Sequence, residues 1–176
     1  GAILYYDVNY RASHRAVLMK VKANILENLE LASIVRGSKE DFEVMFGMQE
    51  AEKVYRSEVS FYCKNFIYTQ GADPLEIRGM GGFSGQYPVE QTTTVSTIGA
   101  GDNFNAGFVY GLVKYGITRQ MLETGLSAEQ WGQLVSEAQQ FAANVCQSIN
   151  NSIDQDFADQ KKREWEASLK EMEENN

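Results

Sequence analysis

Short apolar segments alternate with stretches of helical periodicity between residues 2 and 69. Residues 2–6 are continuously apolar or aromatic, and residues 32–35 and 65–69 are two further short segments of this type. Such runs are typical of strands that are covered on both faces. Between them, apolar residues recur every three or four positions, as on the buried side of a helix. The alternation predicts βαβ units, and hence an α/β fold of three layers in which helices cover both faces of a mostly parallel sheet.

Glycine-rich turns and long helical segments follow after residue 70. Residues 71–89 contain both prolines of the chain and several of its glycines, a composition that predicts a hairpin or flap. Apolar residues at helical spacing predict two long helices, one over residues 104–115 and one from Ser127 towards residue 149. The strongly charged residues 154–176 predict a peripheral helix. We therefore expect one α/β domain over residues 1–153, with this C-terminal helix packed on the same domain.

The charge balance and the few cysteines exclude several classes of protein. The chain has 16 Lys and Arg against 24 Asp and Glu, a net charge of −8, so we expect no basic face for nucleic acid. Two cysteines and one histidine are too few for a disulfide framework or a zinc cluster. The apolar stretches are far shorter than the roughly 20 residues that span a bilayer, so we expect no membrane partner. A cytoplasmic, reducing location fits this composition best.

A glycine-rich segment, Gly99, Ala100 and Gly101, leads into a predicted helix, and Asp102 follows it directly. The amino end of a helix offers unpaired amides and a positive dipole, and glycine lets an anion approach these amides closely. The pattern favours a phosphate site in which Asp102 takes a proton from an attacking hydroxyl. In the alternative, Asp102 only caps the helix and interacts with its dipole, for about 0.3–1 kcal/mol, and on residue type alone this role is commoner.

Four segments of the chain resemble the ribokinase-like (PfkB) carbohydrate kinases, in the order that the family has them. Residues 95–108, VSTIGAGDNFNAGF, resemble the C-terminal signature in which D-T-x-G-A-G-D precedes a helix carrying F-x-A-G. Residues 7–11, DVNYR, are similar to the D-x-N-x-R strand end of the family. Residues 32–41 are similar to its strand before an N-x-x-E helix, and residues 66–71 to its T-x-G strand. The resemblance spans residues 3–149.

The resemblance implies phosphoryl transfer from ATP, with Mg²⁺, to a hydroxyl of a carbohydrate. It implies that Asp102 is the catalytic base and that the amides of Gly99, Ala100 and Gly101 form the anion hole for the transferred group. Residues 1–153 would then be the nucleotide-binding part of a sugar kinase.

The same resemblance implies roles for several further residues. It places Thr69 and Gly71 near the ATP phosphates and Asn144 beside adenine. It gives Ser38 and Asp41 the positions of the N-x-x-E pair, which is tied to magnesium and phosphate, although a helix cap explains these two residues equally well. Asn9 and Arg11 would face the phosphates or the substrate. No metal ligand is assigned.

Two other functions stay open, and three departures from the family pattern favour one of them. Ser96 replaces the aspartate that helps to hold a monovalent cation, so a potassium requirement is doubtful. Ser38 and Asp41 are a shorter version of the N-x-x-E pair, and Pro74 stands where a glycine is usual. These changes favour a non-catalytic nucleotide or sugar-binding protein as the alternative. A nucleoside kinase on the same scaffold is the other.

The resemblance also predicts that the chain is part of a longer protein. The sequence begins without methionine and enters an apolar segment directly after Gly1. Family members carry an N-terminal half before this strand, with the residues that grip the sugar and a small lid. We expect the missing half to be the partner of these 176 residues, which alone would be inactive, and we leave a homodimer open.

Overall fold

The computed structural model describes residues 1–174, so the last two residues of the helix expected over residues 154–176 lie outside the described part. The chain divides into two compact units. Unit 1 comprises residues 1–89 and 118–128, and unit 2 comprises residues 90–117 and 129–176.

Unit 1 contains a five-stranded sheet in the order β1-β2-β3-β4-β5. Strands β1, β2 and β3 are parallel, whereas β3, β4 and β5 pair antiparallel. The parallel part agrees with the sequence pattern and the α/β fold class is confirmed, but the glycine-rich hairpin extends the same sheet and makes it mixed. The strands are β1 (Tyr5–Asp7), β2 (Ile34–Ser38), β3 (Phe66–Gln70), β4 (Asp73–Gly79) and β5 (Phe83–Tyr87).

Helices connect the parallel strands of unit 1 and make up most of unit 2. A 3₁₀ segment precedes α1, and a π-helical turn, Tyr55–Val59, continues α3. None of the helices within residues 1–174 has the length and apolar character needed to cross a bilayer. The α-helices are α1 (Leu18–Leu31), α2 (Lys39–Phe46), α3 (Ala51–Val54), α4 (Ala100–Lys114), α5 (Arg119–Thr124), α6 (Ala128–Cys146) and α7 (Gln155–Glu174).

The central strands of unit 1 are buried on both faces. Ile34 and Val35 are neighbours in β2 and are both 0% exposed, and the same holds for Phe66, Ile67 and Tyr68 in β3. Because successive side chains of a strand point to opposite faces, neighbouring buried residues mean that both faces are covered. This is the reason why these strands have no alternation of apolar and polar residues.

Helices α4 and α6 of unit 2 approach each other closely at Gly107. A β-carbon at this position would lie 2.7 Å from the carbonyl oxygen of Glu137 and 2.9 Å from the α-carbon of Ala138. One turn further along α4, a β-carbon at Gly111 would meet the flexible end of Leu134 at 3.2 Å. The glycine of the F-x-A-G element therefore allows two helix backbones to come into contact.

We expect Gly107→Ala to lower the free energy of unfolding by about 1–3 kcal/mol, the usual cost of overpacking a rigid contact. Gly111→Ala is the matched control, because it adds the same methyl group to the same helix and gains the same helix propensity, about 1 kcal/mol. Its stability should equal or exceed that of the unaltered protein. Urea unfolding of the two variants checks this, and equal stabilities would contradict the close approach.

A cluster of buried charges joins α4, α6 and α7 within unit 2. Glu137 is 2% exposed and accepts hydrogen bonds from Lys114 Nζ at 2.7 Å, from Lys161 Nζ at 2.8 Å and from the Tyr115 hydroxyl at 2.9 Å. Both lysines also reach Glu164, at 2.9 and 3.0 Å. The five residues form a network in which each carboxylate bridges two ammonium groups.

The network sets the protonation of its carboxylates. Burial alone would raise the pKa of Glu137, but the hydrogen bonds from Lys114, Lys161 and Tyr115 outweigh it and lower the pKa. The same competition lowers the pKa of Glu164 to about 2, because burial is outweighed by hydrogen bonds from Gln160 and the two lysines. Both glutamates are therefore charged at neutral pH, and the cluster contains two positive and two negative groups.

Candidate functional site

The first turn of α4, in unit 2, leaves backbone donors without acceptors. Gly99 precedes the helix with a φ of 82°, in the left-handed region that favours glycine, and it provides no side-chain cap. The amide of Ala100 donates to the carbonyl oxygen of Thr97 at 3.2 Å. Within residues 1–174, no acceptor meets the amides of Gly101 and Asp102. A helix start with unmatched amides is a site suited to an anion.

The side chain of Asp102 is exposed at this helix start. It forms no hydrogen bond or ion pair with any residue in the described part of the chain. Hydrogen-bonded capping by Asp102 is therefore not observed, although its charge still interacts favourably with the helix dipole. An exposed carboxylate with unoccupied oxygens is able to accept a proton from a bound hydroxyl.

Asn103 fixes the turn that precedes α4, a role that the sequence did not reveal. Its side chain is 9% exposed, and its Nδ2 donates to the carbonyl oxygens of Gly99 at 2.9 Å and of Asn151 at 3.2 Å. A β-carbon at Gly99 would lie 3.3 Å from the same Asn151 oxygen. The backbone at Gly99 is thus held by a buried amide and by close contact with Asn151.

In unit 1, three polar side chains meet across the three parallel strands. The Nη1 atom of Arg36 donates to both carboxylate oxygens of Asp7, at 3.0 and 3.1 Å. Its Nη2 atom donates to Thr69 Oγ1 at 3.0 Å. Thr69 was predicted as a site residue, whereas Arg36 was not, because a charged residue within a short apolar strand gives no signal of its partners.

Ser38 and Asp41 form a capping box at the start of α2. The amide of Asp41 donates to Ser38 Oγ at 3.2 Å, and the amide of Ser38 donates to Asp41 Oδ2 at 2.7 Å. The Ser38 hydroxyl also donates to Asp41 Oδ2 at 2.7 Å. The cap interpretation of this pair is confirmed by these reciprocal bonds. Their predicted contact with magnesium or phosphate stays a prediction.

The other predicted residues of unit 1 lie in loops beside the parallel strands. Asn9 and Arg11 follow β1 and are exposed, and neither side chain forms a hydrogen bond or ion pair within residues 1–174. Asn9 has a φ of 40°, a left-handed conformation that asparagine tolerates better than most residues. Gly71 has a φ of 65° in the turn between β3 and β4. Their roles stay predictions.

Asn144 of α6 is held by the segment before α7. Its Nδ2 donates to Asp154 Oδ2 at 2.6 Å, while its Oδ1 accepts from the Asp154 amide at 3.0 Å. Asp154 also accepts from the amide of Phe157 at 2.8 Å and so caps α7. These hydrogen bonds lower the pKa of Asp154, with the bond from Phe157 as the largest cause. The predicted contact of Asn144 with adenine stays a prediction.

Ser96, which stands at the aspartate position of the resembled signature, stabilises the turn before α4 by hydrogen bonds. Its hydroxyl accepts from the amide of Ile98 at 3.2 Å, and its own amide donates to the carbonyl oxygen of Cys146 at 3.2 Å. Val95 donates to the same carbonyl at 2.8 Å. The loop before α4 is therefore attached to the carboxyl end of α6.

The donors at the start of α4 and, separately, at Thr69 suit phosphate oxygens better than they suit a bare metal ion. The amides at the start of α4 and the hydroxyl of Thr69 are hydrogen-bond donors. The described residues contain no group of three or more His, Cys, Asp or Glu side chains that could hold a metal ion. Magnesium in phosphoryl-transfer sites needs only one or two carboxylates, since substrate phosphates and water supply the other ligands.

Comparison with known proteins gives the family context of these residues. Residues 3–156 match the description "pfkB family carbohydrate kinase". A 5-dehydro-2-deoxygluconokinase from Geobacillus thermodenitrificans (strain NG80-2) is 25% identical over 134 residues, which are 73% of this chain and 39% of that protein.

Solved structures share the fold. Aminoimidazole riboside kinase from Salmonella enterica, complexed with aminoimidazole riboside and an ATP analog, has a TM-score of 0.69 and 21% identity over 92% of this chain and 52% of that one. A fructokinase double mutant from Vibrio cholerae O395, in a form with bound fructose, ADP and potassium, has a TM-score of 0.68 and 18% identity over 86% of this chain and 46% of that one. These likenesses confirm the ribokinase-like fold class.

The chain spans 39% of the curated relative and about half of these two structures. The family match itself covers most of the 176 residues. The sequence resemblance is thus confirmed, and the chain belongs to the pfkB family of carbohydrate kinases.

Proposed function

We propose that the protein containing this chain transfers the γ-phosphoryl group of ATP to a hydroxyl of a carbohydrate, with Asp102 as general base. The observation that carries the proposal is the exposed, unpartnered Asp102 carboxylate beside unmatched amides at the start of a 15-residue helix. A carboxylate at an anion site repels phosphate, so such a residue needs a compensating role. Removing the proton of the attacking hydroxyl is that role.

The proposed reaction balances as a single displacement. The carbohydrate oxygen forms a bond to the γ-phosphorus while the bond from this phosphorus to the bridging oxygen of ADP breaks. Asp102 takes the hydroxyl proton and releases it to water after the transfer, so that ADP and the sugar phosphate are the products. Because the phosphoryl transition state is loose, positioning and electrostatics supply most of the catalysis, and the proton leaves late.

The amides of Gly99, Ala100 and Gly101 are proposed to stabilise the charge on the transferred group. The amide of Gly101 has no acceptor in the described residues, whereas that of Ala100 already donates to Thr97. Gly101 is therefore the strongest candidate donor. Removal of one such donor from a preorganised anion hole typically costs about 10²–10³ in turnover.

Several further residues are proposed to contact the nucleotide. Thr69 and Gly71 would contact the ATP phosphates, and Ser38 and Asp41 would lie towards magnesium and phosphate. Magnesium would neutralise charge on the phosphates, held mainly by their own oxygens. Asn144 is proposed to lie beside adenine.

The acceptor class is proposed to be a carbohydrate, with Asn9 and Arg11 facing the substrate or the phosphates. Their exposed and unpartnered side chains support this assignment. The curated relative is named as a kinase of a deoxygluconate, and one structural neighbour as a fructokinase, which agrees with a sugar or sugar acid.

Two free thiols, Cys63 and Cys146, support a reducing, cytoplasmic location.

A nucleoside kinase is the second candidate. It is favoured by the likeness to the aminoimidazole riboside kinase, at a TM-score of 0.69, and to an adenosine kinase from Schistosoma mansoni, at 0.59. Both catalytic candidates use the same base and the same nucleotide, so only the acceptor separates them.

Release of ADP, measured with magnesium and ATP over a panel of acceptors, tests the proposed function. The panel contains ketoses, aldoses, sugar acids and nucleosides, and the longest natural protein that includes these 176 residues is used. We expect turnover that depends on one sugar or sugar acid. Turnover only with nucleosides would favour the second candidate, and nucleotide binding without turnover would favour a non-catalytic binding protein.

A further inference from the structure

Arg36 connects all three parallel strands of unit 1. From β2 its Nη1 atom donates to both carboxylate oxygens of Asp7 in β1, and its Nη2 atom donates to Thr69 in β3. Its side chain is 10% exposed and that of Asp7 is 18% exposed. Ion pairs with so little access to water contribute little net stability, because desolvation offsets their attraction. Stability alone is thus a poor explanation for this arginine.

The geometry at Thr69 determines which way its hydroxyl can donate. A hydroxyl has one proton and two lone pairs, and Arg36 Nη2 donates into one lone pair at 3.0 Å. The proton must therefore point elsewhere. Within residues 1–174 its acceptor is the carbonyl oxygen of Gly37 at 3.5 Å. This distance is longer than the usual oxygen-to-oxygen distance of about 2.7–2.8 Å in such bonds.

A better acceptor can take this proton, since Thr69 is only half-buried. Because Arg36 Nη2 occupies one lone pair of the hydroxyl, Thr69 cannot turn its proton towards the arginine, and the proton is left on the long bond to Gly37. An anionic oxygen repels a lone pair and attracts a proton. The arginine thereby leaves the Thr69 proton with one long hydrogen bond in the described residues, and a phosphate oxygen can replace that acceptor.

On the basis of the proposed function, we propose that Arg36 is a positioning residue for ATP. It orients the Thr69 hydroxyl as a donor to a phosphate oxygen of the nucleotide, while Asp7 fixes the plane of the guanidinium. The paired carboxylate also neutralises the charge of Arg36, so its effect on ATP passes through Thr69 and not through long-range attraction.

A double-mutant cycle on ATP affinity tests this coupling. We expect Arg36→Met and Thr69→Val each to raise the Kd for ATP about tenfold, which is typical of losing a hydrogen bond to a charged group. The double variant should bind ATP no more weakly than Thr69→Val alone, because Arg36 acts only through the hydroxyl that Thr69→Val removes. Thr69→Ser keeps the hydroxyl and should recover most of the affinity for ATP that Thr69→Val loses. Additive losses in the double variant would overturn the proposal.

Arg36→Lys separates positioning from charge. A lysine keeps the positive charge but lacks the planar fork that meets Asp7 and Thr69 together. We expect its ATP affinity to stay close to that of Arg36→Met. Affinity equal to that of the unaltered protein would show that charge alone matters and would overturn the proposal.

Arg78 offers a matched structural control. It is a second buried arginine of the same sheet, 9% exposed, and it pairs with Glu52 and Glu76, neither of which is assigned to ATP. Arg78→Met should lower the melting temperature but leave the Kd for ATP within about twofold, because distant effects are largely independent. An equal loss of affinity in Arg78→Met would assign the effect to general loosening of the sheet.

The two proposals fail in different ways. Isothermal titration of the unaltered protein with ATP comes first. If ATP does not bind, the proposed function and the role of Arg36 are both overturned. If ATP binds normally and Arg36→Met leaves the Kd unchanged, the role of Arg36 alone is overturned.

Discussion

Replacing Glu137 with glutamine is expected to lower the free energy of unfolding by about 3–5 kcal/mol, as is usual when one partner of a buried ion pair is removed. The carboxylate is almost inaccessible to water and holds Lys114, Lys161 and the Tyr115 hydroxyl. Glutamine has a similar shape but no charge, so two ammonium groups would remain beside the single carboxylate of Glu164. Urea unfolding, monitored by circular dichroism, measures the loss.

Glu129→Gln is the matched control on the same helix. Glu129 is exposed in the first turn of α6 and has no ion pair within the described residues. The same substitution there should change stability by no more than about 0.5 kcal/mol. Equal stabilities for the two variants would contradict a structural role of the charge cluster.

The charge cluster is a part of the structure that the sequence pattern does not predict. Lys114, Glu137 and Lys161 lie on three helices, 23 and 24 residues apart, and each is charged. Charged residues on predicted helices are normally solvated, so nothing in the pattern distinguishes these from their neighbours. Only the packing of three helices brings them together and buries them.

Local signals were sufficient for much of the fold. The strands around Val35 and Ile67 were predicted because fully buried strands have apolar residues on both faces. The cap of α2 was predicted because Ser38 and Asp41 have the spacing of a capping box. The pairing of residues 73–87 with β3 was not predicted, because turn residues indicate a hairpin but not the sheet that it joins.

The part of the candidate site that is built from consecutive residues could be predicted from the sequence. The anion site proposed at α4 depends on consecutive residues, Gly99 to Asp102, so its pattern was visible in the sequence. Arg36 and Asn103 were missed because their partners, such as Thr69 and Asn151, are far along the chain. The pairing of Asn144 was missed although its partner, Asp154, lies only 10 residues away, because residue types alone do not show which polar side chains pair.

Replacing Asp102 with asparagine is expected to lower turnover by about 10²–10⁴-fold, the usual contribution of a general base. Asparagine has nearly the same shape as aspartate but cannot accept the hydroxyl proton. The affinity for ATP should be retained or slightly improved, because the substitution removes a negative charge from the anion site. Steady-state kinetics with the acceptor found in the panel and direct ATP titration measure the two effects separately.

Asp156→Asn is the matched control for this change. Asp156 is an exposed aspartate in the first turn of α7, so it shares residue type, exposure and helix position with Asp102. Its loss should leave turnover unchanged. A similar fall in both variants would assign the effect to helix starts in general and not to proton removal.

Turnover and ATP affinity, both measured for Asp102→Asn, test most directly the central claim that Asp102 is the general base. We predict formation of sugar phosphate at least about 100-fold slower than in the unaltered protein, with the Kd for ATP no higher than about twice the original value. Turnover equal to that of the unaltered protein would contradict the assignment of Asp102 as the base that deprotonates the acceptor.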